Sequence, residues 1–119
     1  MLKKTMTYKD FDDVERTEDF YFNLTQAEIT ELELSQDGGL VKVIEKIVAE
    51  QDSKKIVELF KDLILKAVGE KSLDGKKFIK NEKIREDFAS TQAYSDLFME
   101  LASDANAAAA FVNAIVPTN

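Results

Sequence analysis

The hydrophobic period of this chain changes once, at Thr25. Before it, apolar residues alternate with polar ones, as in a half-buried strand pair; after it they recur at helical spacing. Phe20-Tyr21-Phe22, flanked by Thr and Asp, is a strong strand signal. Residues 2–24 therefore read as a β-hairpin turning near Asp12-Asp13-Val14. Pairing residues whose numbers sum to 26 sets Met6 opposite Phe20 and Asp10 opposite Arg16. One face then carries Leu2, Met6, Tyr8, Phe20, Phe22 and Leu24, and the other Thr5, Thr7, Thr17, Asp19 and Asn23. A one-residue slip would set Lys9 against Arg16 and Asp10 against Glu15, which like-charge repulsion opposes.

Thr25-Gln26-Ala27-Glu28 is a capping box, so a helix is expected from Gln26 to about Leu34, ended by Gly38-Gly39. Leu40, Val43, Ile44, Ile47 and Val48 fit a second helix. Ser53 is the next N-cap. The helix after it, 54–68, is apolar on more than one face, which places it centrally or against a partner. Gly69 stands where a C′ glycine belongs. A turn-rich segment, 70–80, surrounds Asp74-Gly75. Phe78-Ile79 adds a short strand there or plugs the core. Asn81, Thr91 and Ser103 are read as caps of three further helices, the last covering 104–116 and stopped by Pro117.

The fold expected is mainly α with an N-terminal β-hairpin: one domain, 1–119, of five to six short helices. Its parts are the hairpin 2–24, helices over 25–69, the connection 70–80 and C-terminal helices over 81–117. At 119 residues the chain has one domain's length.

Composition removes most chemistry. The chain has no Cys and no His. That takes away disulfides, thiol nucleophiles, the usual zinc ligands and the commonest general base. No enzymatic activity, cofactor or metal is expected. Asp10, Asp12, Asp13 and Glu15 only superficially resemble a calcium loop, because Glu15 sits where that loop needs glycine. Gly38-Gly39 lacks the Lys-Ser/Thr of a phosphate loop. Met1-Leu2-Lys3-Lys4 begins like a signal peptide, but no apolar core follows, so neither export nor a membrane partner is expected.

Net charge is −7, unevenly spread. Residues 1–39 hold ten acids against four bases, residues 66–85 seven bases against three acids, and residues 86–119 five acids and no base. Acidic ends and a basic middle favour head-to-tail self-association. The basic stretch has no aromatic interleaving and no motif, so nucleic acid is not an expected partner. What is left is apolar helical surface. The candidate protein-binding residues are Leu59 and Leu65 on the central helix, Tyr94 and Phe98 on the next-to-last, and Phe111, Val112 and Ile115 on the last. Core packing is the competing reading of the same stripes, above all for Phe98 and Phe111.

Three strings carry a family likeness: Glu15 to Thr25 with its capping box, Asp74 to Lys80, and Phe88 to Ala102 leading into Ala107 to Val116 and Pro117. Together they resemble the small tail assembly chaperones of long-tailed, siphovirus-type phages and prophages of Gram-positive bacteria. The resemblance implies a protein that binds the tape measure protein, keeps it soluble and helps recruit major tail protein. It further implies work in the host bacterial cytoplasm, absence from the mature virion, and a longer frameshifted companion product. Two other readings fit the composition: a minor structural tail protein, and an acidic phage-encoded inhibitor of a host protein.

Overall fold

The N-terminal hairpin is the first half of a larger sheet. A computed structural model describes residues 1–33 and 53–116. Strands β1 (Leu2–Lys9) and β2 (Glu15–Phe22) are followed by helix α1 (Gln26–Glu33). Then come α2 (Ser53–Ala67), β3 (Val68–Lys71), β4 (Phe78–Ile79), α3 (Glu82–Ala89), α4 (Gln92–Ser103) and α5 (Ala105–Ile115). The strands form one antiparallel sheet in the order β1-β2-β3-β4. The helix expected over residues 40–50, and the stop at Pro117, lie outside the described residues.

A mainly α fold is therefore corrected to a mixed α+β one. The N-terminal hairpin stands, but it is half of a four-stranded sheet with helices against it. The difference arises at Gly69. Instead of capping the preceding helix, it follows Val68 into a strand, where Val68 pairs with Phe22 and Gly69 with Tyr21. A side chain there would strike β4: an added Cβ would lie 2.6 Å from Phe78 Cε2 and 2.8 Å from the Ile79 carbonyl oxygen. The glycine is needed for close strand approach, not for a helix end. Residues 70–80 are correspondingly a second hairpin, with Gly75 at φ 76° in its turn.

The register of β1 and β2 also differs. Partner numbers sum to 24, so Lys4 faces Phe20, Met6 faces Glu18 and Tyr8 faces Arg16. A shift of two leaves every side chain on its expected face. On the open face, Thr5 Oγ1 donates to Asp19 at 2.6 Å, the Thr7 and Thr17 hydroxyls meet at 3.0 Å, and Lys9 stands opposite Glu15. The loop fixes this register. Asp10 accepts from the Asp12 and Val14 amides at 2.9 and 3.0 Å and from Arg16 Nε, while Asp13 takes φ 62°. Arg16 beside it, with the Val14 and Asp12 amides, holds the Asp10 carboxyl below its usual range.

The other sheet face meets the helices. Met6, Tyr8, Phe22 and Val68 join Ile29, Phe60, Ile64, Phe88, Leu97, Leu101, Phe111 and Ile115 in one buried cluster. Phe22 and Phe88 are its hubs, with ring centroids 5.6 Å apart and further rings on each: Phe111 on Phe22, Phe20 and Tyr94 on Phe88. The helix starts follow local hydrogen bonds. Thr25 and Glu28 form the capping box, with the Thr25 amide donating to Glu28 Oε1 at 2.9 Å and the Glu28 amide to Thr25 Oγ1 at 3.2 Å. Asn81 and Thr91 cap α3 and α4. At α5 the cap is Asp104 rather than Ser103, its carboxylate accepting from the Asn106 and Ala107 amides. Ser103 instead donates back to the Met99 carbonyl, as the last residue of α4.

Candidate functional site: an aromatic strip on α4 beside α2

The seven apolar residues singled out from the sequence divide into two groups. Phe111, Val112 and Ile115 are buried in the α5 contribution to the core, at 5%, 1% and 0% exposure. Phe111 stacks edge-on against Phe22, and the Ile115 carbonyl accepts from the Leu24 amide at 2.9 Å. These three are not on the accessible surface. Of the alanines before them only Ala108 is fully buried; Ala107 and Ala109 are half-buried and Ala110 is exposed.

Leu59, Leu65, Tyr94 and Phe98 are half-buried at the margin of that core. Tyr94 and Phe98 lie one helical turn apart on α4, ring centroids 6.2 Å apart, and Tyr94 continues inward to Phe88 at 5.8 Å. Burial, then the nearby Asp62 carboxylate on α2, push the Tyr94 phenol up. Helix α4 packs against α2, where Leu59 and Leu65 flank Asp62 at helical spacing. The result is a strip with aromatic rings anchored in the core and edges open to solvent. Such rings are common contact anchors, because they bury much area with little side-chain freedom to lose.

A second arrangement was not visible in the sequence. Lys80 Nζ donates to both Glu28 carboxylate oxygens, at 2.9 and 2.7 Å, and to the Asn23 carbonyl at 2.6 Å. It also lies 5.8 Å from the centre of the Phe78 ring. One ammonium thus ties the start of α1 to the end of β2 and to the second hairpin. Glu28 is legible as a capping residue, but nothing in the sequence marks its partner 52 residues away. Burial alone would raise the Glu28 pKa. Lys80, together with the Thr25 amide, outweighs it, and the net shift is downward from 4.5.

A carboxyl whose folded pKa is depressed adds stability above its unfolded value and loses it as pH falls through the folded one. Lys80→Met is expected to cost about 1–3 kcal/mol near neutral pH, towards the low end because the pair is partly exposed. The gap between variant and parent should narrow as pH drops below about 4.5. Urea unfolding of both proteins from pH 7 to 3.5 checks this; a pH-independent gap would show that the pair does not act through Glu28.

Among the described residues no buried side-chain polar atom lacks a partner, and no three acidic side chains gather as metal ligands would. No described helix is long and apolar enough to cross a membrane. The described residues form a closed core with half-buried apolar side chains at its edge. A family model described as phage tail assembly chaperone matches residues 1–119, and the chain belongs to that family. No curated protein and no solved structure matches the chain.

Proposed function

We propose that this chaperone acts without catalysis by holding the tape measure protein of a long-tailed phage in soluble form until major tail protein assembles around it. The family match over the whole chain carries the reading. The α4 strip supports it physically. A long, helix-rich, apolar client needs an apolar surface to lie on, and the −7 net charge favours solubility of the pair. The work belongs in the host cytoplasm, and the chaperone leaves before the virion is complete.

Within this reading the client surface is Tyr94 and Phe98 with Leu59 and Leu65. Co-expression with a tape measure fragment tests it. The parent chain should hold the fragment in the soluble fraction and co-purify with it. Tyr94→Ala should weaken binding by roughly 30-fold or more, the effect of losing a contact worth about 2 kcal/mol. Circular dichroism should show the fold retained. Unchanged capture by a Tyr94→Ala, Phe98→Ala double variant would remove this surface, and the chaperone in purified virions would remove the role.

A further inference from the structure

We propose that the chain forms a two-fold dimer in which each copy seats Leu73 of its β3–β4 turn in the groove between the other copy's sheet and α3. This does not rest on the client reading. Leu73 is fully exposed, at 106% of the reference value. Its turn is tightly built. Ser72 Oγ donates to Asp74 at 2.7 Å, and the Lys76 and Lys77 amides donate at 3.0 Å to Asp74 and Ser72 Oγ. The leucine is therefore held outward, among Lys71, Lys76 and Lys77.

The groove has the opposite character. It encloses about 510 Å³, and its apolar lining includes Phe20, Ile84 and Phe88. Its charged lining is Glu18, Asp19, Glu70 and Asp87 against a single base, Lys71. Two of these acids already touch lysines, Asp19 with Lys3 at 3.5 Å and Asp87 with Lys83 at 3.1 Å. Both pairs are solvent-exposed and compete weakly with an incoming cation. An apolar side chain flanked by lysines thus meets an apolar groove rimmed by carboxylates, and this chain supplies both. Turn and groove adjoin through β3, which lines the groove with Val68 to Lys71 and leads directly into the turn. A two-fold axis can therefore make both contacts at once and close the assembly.

Sedimentation velocity of the full chain, from micromolar to near-millimolar concentration, tests this. A monomer–dimer equilibrium is expected, weakened by added salt because charges draw the surfaces together. Leu73→Asp, at a fully exposed position, should weaken dimerisation at least tenfold without altering circular dichroism. The chain has no cysteine, so engineered ones report position cleanly. Leu73→Cys protein mixed with Ile84→Cys protein should oxidise to a mixed disulfide in preference to either homodimer. A chain that stays monomeric, a dimer indifferent to Leu73→Asp, or growth beyond dimers would each overturn the proposal.

Discussion

Phe22→Ala is expected to remove about 3–5 kcal/mol of stability. Phe22 is fully buried, opposite Leu2 on one neighbouring strand and Val68 on the other, with the rings of Phe88 and Phe111 at 5.6 and 5.4 Å. Truncation leaves a cavity that three strands and two helices would have to close together. For a domain whose total stability is about 5–15 kcal/mol, a large part would go, with a melting point lower by roughly 10–20 °C. Thr7→Ala, on the open face, should stay within about 0.5 kcal/mol. Chemical denaturation of both variants measures the contrast. A one-residue slip of β2 against β1 would move Phe22 to the open face, so a small cost at Phe22 would overturn the sheet described above.

That contrast also marks how far the sequence could be read. Which side chains share a face was legible, since alternation carries that information directly. Which residue stands opposite which was not, because registers two residues apart bury the same faces. The decision lay in the loop, where one Asp10 carboxylate binds two amides and Arg16. The pairing of Asp10 with Arg16 survives as a contact in the loop and is lost as a cross-strand pair. The helices after residue 80 were legible for a related reason: Asn81 and Thr91 act on amides three residues away, a range any single sequence displays.

The rest depended on contacts distant in the chain. A helical stripe says that a residue faces something and leaves open whether that is the protein's own core or another protein. Phe111 and Tyr94 look alike in sequence. The first is buried because α5 packs under Phe22, and the second is half-buried at the margin of the core, one side of its ring against Phe88. The Lys80–Glu28 tie is hidden for the same reason. Its effect is to fasten the second hairpin to the base of α1, so the hairpin's placement bears on both the α1 anchor and the Leu73 turn.

Gly69→Ala should therefore loosen that hairpin and cost about 1–3 kcal/mol. The ordinary expectation has the opposite sign. A strand glycine without positive φ loses backbone entropy on folding, and alanine there commonly gains about 0.4–1 kcal/mol. Here the space decides. The added Cβ would meet Phe78 Cε2 at 2.6 Å, the Ile79 carbonyl oxygen at 2.8 Å and Phe78 Cζ at 2.9 Å. The ring can swing aside, since Phe78 is only half-buried. The carbonyl cannot, because Ile79 is held in register opposite Glu70. Gly69→Ala combined with Phe78→Ala separates the two obstacles: if the carbonyl dominates, removing the ring restores little. Hydrogen exchange should locate the damage, with protection falling at the β3 and β4 amides and persisting through β1 and β2. The α1 base should loosen with it, because Lys80 follows β4 directly and its bonds to Glu28 and Asn23 need the strand in place. A Gly69→Ala protein as stable as its parent would mean that β4 does not pack against β3 as closely as these distances require.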